Sequence, residues 1–237
     1  MSLLIALFFS DFCTHPGMKT ALILGSSGLT GSYILDRLLK DDSFQSVITI
    51  NRKPSGIHHP KLTEIISQFN AEKDLAPFVS IDTIFSCLGT TRKKTPDLQQ
   101  YRNIEIGIPV QYATVALTKN WQGFHFISAV GVQPGSGNFY IRIKSEAEEA
   151  LKSLHIPHLH IYQPSLLTGQ RKEKRPLEKL AASLFPLINR ILLKKWMHYH
   201  SISAADLARG MVFISQQPNQ KKVSYHTYSS IMQFKNS

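Results

Sequence analysis

A tyrosine and a lysine stand four residues apart in Tyr140-Ile141-Arg142-Ile143-Lys144, a spacing that puts both on one face of a helix. An ammonium beside a phenol favours the phenolate and draws a tyrosine below its ordinary pKa of about 10. Tyr140 is therefore a candidate to give or take a proton at neutral pH, with Lys144 tuning it and free to hydrogen-bond a ribose. Upstream, Phe126-Ile127-Ser128 reads as a strand end, where parallel sheets present side chains to a ligand crevice. Ser128 there could hold a substrate carbonyl oxygen while Tyr140 protonates it. Tyr-x-x-x-Lys is common by chance and any strand can end in serine. What gives these residues weight is their order after a glycine-rich turn.

That turn is Gly25-Ser26-Ser27-Gly28-Leu29-Thr30-Gly31, with glycine at every third position. Gly25 permits a tight turn, Gly28 lets backbone approach a pyrophosphate, and Gly31 lets helix and strand pack closely. A helix opening there offers unpaired amides and a partial positive charge to phosphates. An apolar strand before it and a helix after it favour dinucleotide binding over an ordinary strand-to-helix turn. The second strand ends Ile50-Asn51-Arg52-Lys53, where an NAD-selective protein usually carries an acid for the ribose hydroxyls. Arg52 and Lys53 suit a 2′-phosphate instead, so the expected cofactor is NADP(H), with NAD(H) second. The fourth strand ends Cys87-Leu88-Gly89-Thr90-Thr91, and Gly89 lets the chain pass close to the adenosine side. Cys87 reads as a small hydrophobe packed beside the cofactor.

The elements that must position these groups alternate, strand then helix, from Lys19 onward, the pattern of parallel strands joined by right-handed crossovers. Strands are expected at residues 20–24, 46–51, 62–66, 83–87, 123–128 and 158–163, with a last one at 223–228. Helices are expected at 30–40, 98–119 and 139–154, with a weaker one at 71–79. The fold class is α/β, a doubly wound parallel sheet of the Rossmann kind. After Pro164 the alternation breaks into a charged loop, Gln170 to Arg175, and a helical segment, Leu177 to Lys195, read as a substrate-side lid over residues 164–200. The segment Ser201 to Ile214 places Asp206 near the start of a further helix. Residues 1–17, ahead of Met18, read as an N-terminal arm or an over-called start, and 18–237 as the domain.

The chain has 237 residues, 43% of them apolar, enough for one domain with a real core. Its net charge of +11 attracts anions without choosing among them. Cys13 and Cys87 form neither a disulfide framework nor a zinc ribbon, and a reducing cytoplasm is the default placement. The apolar start is too short for a bilayer, which needs about 20 residues, so no transmembrane segment is expected. His158-x-His160 and His198-x-His200 lack acidic or cysteine partners nearby in sequence, and no metal is expected. The run Arg171-Lys172-Glu173-Lys174-Arg175 lacks the aromatics that stack bases, which argues against specific nucleic acid. Apolar residues from Leu184 to Trp196 leave a homodimer or a protein partner open.

Gly25-x-x-Gly28-x-x-Gly31, Asn103, Ser128 and Tyr140-x-x-x-Lys144 together resemble the atypical short-chain dehydrogenases/reductases, and the likeness runs from Lys19 to the end of the chain. Ser86-Cys87-Leu88-Gly89-Thr90-Thr91-Arg92, Asn138-Phe139-Tyr140-x-x-x-Lys144 and Gln163-Pro164-Ser165 resemble the Tat-interacting-protein branch and its bacterial relatives. The resemblance implies Ser128, Tyr140 and Lys144 as a catalytic trio, Asn103 supporting a proton relay, and Pro164 to Leu167 bordering the nicotinamide. It departs at Gln163, where that branch often carries arginine. The function expected is an NADP(H)-dependent oxidoreductase acting on a small carbonyl or hydroxyl substrate. The alternative is a non-catalytic NADP(H)-binding regulatory or redox-sensing protein, a role known within that branch.

Overall fold

Short runs of β-branched and aromatic residues, buried on both faces, set the sheet. In the computed structural model, which describes residues 19–119, 121–169, 200–218 and 221–236, β1 (Lys19–Leu24) has five of six residues buried and β2 (Phe44–Asn51) seven of eight. Such continuous burial marks strands covered by helices on both sides. They are followed by β3 (Leu62–Ile66), β4 (Thr83–Ser86), β5 (Gly123–Ile127), β6 (His158–Tyr162) and, after a small ladder of β7 (Leu167–Thr168) with β8 (Ile202–Ser203), by β9 (Val223–His226). The main sheet has seven strands in the order β3-β2-β1-β4-β5-β6-β9, every pair parallel. It is a Rossmann-type sheet, and the chain leaves β1 toward opposite edges, so the ligand crevice falls at the carboxyl ends of β1 and β4.

Two apolar layers flank it. On one side Leu22, Leu24, Ile84, Phe124 and Ile161 pack under α2 (Ala71–Leu75), α4 (Ile108–Ala116) and α5 (Phe139–Ser153). On the other, Ala21, Ile23, Phe85 and Tyr162 pack under α1 (Leu29–Lys40) and α6 (Ala204–Gln216), which lie against each other. The short α7 (Tyr228–Met232) follows β9.

The helix expected over 98–119 is present as α3 (Leu98–Arg102), a π turn (Asn103–Gly107), α4 and a closing 3₁₀ turn (Leu117–Lys119). Pro109 accounts for the wide turn: it has no N–H to give to Glu105, and its ring would crowd that carbonyl. The Ile108 amide accordingly reaches back five residues to the Asn103 carbonyl. The weak helix of 71–79 stops at Leu75, and the other elements match to within about two residues, the usual uncertainty of element ends. The N-terminal arm, the Gln170–Arg175 loop, the Leu177–Lys195 helix and His198 lie outside the described residues. Among the described residues no helix is long and apolar enough to cross a membrane.

Candidate dinucleotide and catalytic site

The glycine turn is built as a phosphate cradle requires. Gly25 holds a φ of +85°, and a Cβ there would lie 3.1 Å from the Cys87 carbonyl group, so the turn presses on the end of β4. A Cβ on Gly31 would stand 2.2 Å from the Gly25 carbonyl oxygen, which no side chain can do. Gly28 is the N-cap of α1, with no side chain to cap the first-turn amides and no acid in that turn. The first-turn amides of a helix have no partner within it and are open to an anion; beside them Thr30 is buried and Ser27 exposed. Leu29 reaches across to Gly169, beside which a Cβ would touch its Cδ1 at 3.0 Å, bringing Leu167 and its strand to the turn. The Pro164 carbonyl accepts from the Val130 amide at 2.9 Å, tying the same segment to the end of β5.

Beyond the turn, Ser26 donates to Asn51 Oδ1 at 2.9 Å, and Asn51 Nδ2 donates to Glu64 at 2.8 Å. Glu64 also accepts the Ser55 amide, closing the 52–55 loop onto β3. Burial alone would raise the Glu64 pKa, but these hydrogen bonds outweigh it and hold the carboxyl below its ordinary range. Arg52 and Lys53 project from this loop, exposed. Neither Asn51 nor Glu64 was singled out by sequence reasoning; an uncharged polar residue at the end of a buried strand was the available signal.

At the β4 end, burial pushes the Cys87 thiol up to about 12, so it is no thiolate at neutral pH. Leu88 packs against the core. Gly89 leaves room for Glu105, whose Oε1 would be 3.7 Å from an added Cβ. The Thr90 amide donates to Glu105 Oε1 at 2.7 Å. The other oxygen of Glu105 lies 2.8 Å from Lys144 Nζ, and both side chains are at most 5% exposed. Lys144 also donates to the Ile127 carbonyl at 2.9 Å and sits 4.9 Å above the Phe126 ring. Burial pulls the Lys144 pKa down, yet Glu105 and the phenols of Tyr140 and Tyr101 together raise it above its ordinary value, so the ammonium persists.

Tyr140 is 41% exposed on the first turn of α5, its backbone amide held by Asn138. Tyr101, from α3, is buried nearby, and its hydroxyl pKa is pushed up to about 12, first by burial and then by Glu105 and Tyr140. The structure thus gathers Tyr140, Lys144, Glu105 and Tyr101 at one place. Sequence reasoning missed Tyr101 and Glu105; their signal was the i, i+4 spacing that runs on to Pro109.

Asn103 and Ser128 make other contacts. Asn103 is exposed and folded over Gly107, whose added Cβ would meet its Oδ1 at 2.4 Å; it is Glu105 that the π turn points inward. Ser128 is 2% exposed and its hydroxyl donates to Glu148, one further helical step along the Tyr140-Lys144 face of α5. Gln163 donates to the same Glu148 oxygen at 3.0 Å, the contact an arginine there would replace with an ion pair. Of the histidines discounted as ligands, His160 stacks on His125 at 4.6 Å and His158 meets the Lys221 carbonyl.

A model of the NAD dependent epimerase/dehydratase family matches residues 21–171. Protein fmp52-1, mitochondrial, of Aspergillus terreus is 32% identical over 170 residues, covering 69% of this chain and 73% of that protein. Protein HTATIP2 of Rattus norvegicus is 27% identical over 198 residues, covering 82% and 80%. UDP-N-acetylglucosamine 4-epimerase from Methanobrevibacter ruminantium M1, solved with UDP-N-acetylmuramic acid, shares the fold with a TM-score of 0.66 at 17% identity, covering 89% of this chain and 76% of that one. The Bordetella bronchiseptica enzyme WbmH, solved with NAD⁺, does so with a TM-score of 0.64 at 17% identity, covering 88% and 75%. Family match, relatives and sheet agree: the chain belongs to the NAD dependent epimerase/dehydratase family, among the atypical short-chain dehydrogenases/reductases.

Proposed function

We propose that the chain is an NADP(H)-dependent oxidoreductase acting on a small carbonyl or hydroxyl compound. The observation that carries the reading is the exposed Tyr140 phenol one helical turn from the buried, ion-paired Lys144, with the uncapped α1 amides at the same carboxyl end of the sheet. The open amides and the glycine contacts fit a dinucleotide diphosphate, and the exposed Arg52 and Lys53 fit a ribose 2′-phosphate. WbmH was solved with the coenzyme lacking that phosphate; the basic pair on this chain favours the phosphorylated one.

When bound, the nicotinamide supplies or accepts hydride. The chain's own part is proton handling. Lys144 gives one ammonium proton to the Ile127 carbonyl and is ion-paired with Glu105, which leaves donor capacity for the ribose or for Tyr140. Tyr140 Oη gives its proton to a carbonyl oxygen, or takes one from an alcohol, with the Lys144 ammonium nearby. Tyr101 adds a second, neutral hydroxyl in the same surroundings. The test is carbonyl-dependent NADPH oxidation by purified protein. Tyr140→Phe should cut turnover by about 100-fold or more while NADPH affinity holds within about twofold. Full turnover in that variant would overturn the reading.

Ser128 favours a second reading, a cofactor-dependent binding protein, because its hydroxyl is committed to Glu148 rather than open to a substrate. Under it, NADPH binds but no compound of a broad carbonyl panel is reduced, and capture of a protein partner depends on NADPH.

A further inference from the structure

The wall beside Tyr140 concentrates positive charge on a single ring. Arg92, from the loop after β4, holds its Cζ 5.3 Å from the Phe139 ring centroid, and Arg142, from α5, holds its own at 5.8 Å. A cation–π contact at an exposed site contributes little, while two like charges so placed repel each other. A carboxylate between them would relieve that repulsion, yet among the described residues the guanidiniums bond main chain alone: Arg92 donates to the Pro96 carbonyl at 2.8 Å and Arg142 to that of Ser136 at 3.4 Å. The neighbouring acids are already engaged. Glu146 pairs with Arg102 at 2.6 Å, Glu105 with Lys144, and Asp97 accepts the Gln100 amide that it caps.

The platform under the two cations is fixed. Phe139 is half-buried and packs on Tyr101 with ring centroids 5.3 Å apart. The Tyr101 hydroxyl lies within electrostatic reach of Arg92 as well as of Tyr140 and Lys144. Arg92 and the proton-handling phenol therefore border the same buried group, and Arg142 joins Arg92 through the Phe139 ring. Guanidinium groups with donors to spare match the oxygens of a carboxylate or phosphate in a planar, two-pronged fashion.

We propose that Arg92 and Arg142, carried on Phe139, form an anion-binding fork, so that the preferred substrate is a carbonyl compound bearing a carboxylate or phosphate. The carbonyl half of this statement rests on the oxidoreductase reading; the anionic half stands on the fork.

The test compares 4-formylbenzoate and 4-formylphenyl phosphate with the neutral, similarly shaped 4-methylbenzaldehyde. Binding of each to the NADPH-loaded protein is measured by calorimetry, and kcat/KM wherever turnover occurs. The anionic probes should bind at least about tenfold tighter than the neutral one. Arg92→Gln and Arg142→Gln should each bring that ratio toward one, and Arg142→Lys should recover part of it, with circular dichroism confirming the fold. Equal affinity for charged and neutral probes would overturn the proposal. So would an NADPH affinity that falls in step with the ratio, because the guanidiniums would then serve the coenzyme. Charge-selective binding without reduction of any probe would keep the fork and remove the oxidoreductase reading; reduction without charge preference would do the reverse.

Discussion

Lys144 Nζ and Glu105 Oε2 form an ion pair 2.8 Å apart and almost fully buried. Such a pair contributes little over an apolar replacement, but removing one partner leaves the other charge buried and alone. Glu105→Gln should therefore lose about 3 kcal/mol in urea unfolding, and adding Lys144→Met should restore much of it. Because the Lys144 pKa is raised on folding, its contribution is complete below the ordinary lysine value and is lost only as pH climbs through the folded one. Lys144 therefore stays an ammonium near neutrality, and pH dependence of turnover there must come from other groups. Tyr140 and Lys144 were legible in the sequence because their partnership is local to one helix. Glu105 was not, because its inward aim comes from a π turn set by Pro109. Nor was the Ser128–Glu148 bond legible, since it joins a strand end to the middle of α5.

Among the elements, β9 is the sheet's last strand and is joined to β6 partly through histidine. His160 Nδ1 and His226 Nε2 share a hydrogen bond of 3.0 Å, and His226 stacks on Tyr162 at 4.7 Å. Tyr162 also bonds His125, and Lys19 adds a like charge that disfavours protonation of His125. Burial first, and then His160, lowers the His226 pKa to about 4, and burial holds His125 well below its ordinary value. Between the ordinary 6.5 and these lowered values only the unfolded chain takes up the protons. Stability is therefore intact above that window and falls as pH drops through it, by about 3 kcal/mol for His226 alone. Urea midpoints measured from about pH 7 down to about pH 4 should fall accordingly, and His226→Gln should flatten the slope. A midpoint that does not move over this range would contradict the packing described. The strand itself was readable as Val223–Tyr228, but nothing in its pattern named His160 as a partner, because alternation specifies which face a residue takes and leaves its neighbour across the ladder open.

Over the whole molecule the sequence's alternation of strand and helix was sufficient for a parallel, doubly wound sheet, since crossover connections leave few other solutions. The packing of α6 on α1 depends on contacts more than a hundred residues apart, and the place of β9 beside β6 on pairs such as Leu159 with Val223; neither has a local signal. The net charge of +11 should guide an anionic coenzyme to the crevice, so the NADPH association rate should fall by about tenfold between low and physiological salt, with a smaller change in dissociation. An association rate indifferent to salt would mean that the basic surface lies away from the crevice.

The account's central claim is that the amides opening α1 receive a dinucleotide diphosphate, with Arg52 and Lys53 selecting the phosphorylated ribose. Calorimetric titration of the purified chain with NADPH and NADH, alongside Arg52→Ala and Gly31→Ala, tests it most directly. The prediction is saturable NADPH binding at least about tenfold tighter than NADH, a preference lost in Arg52→Ala, and loss of both coenzymes in Gly31→Ala, whose Cβ would stand 2.2 Å from the Gly25 oxygen. Folded wild-type protein that binds neither coenzyme would contradict it.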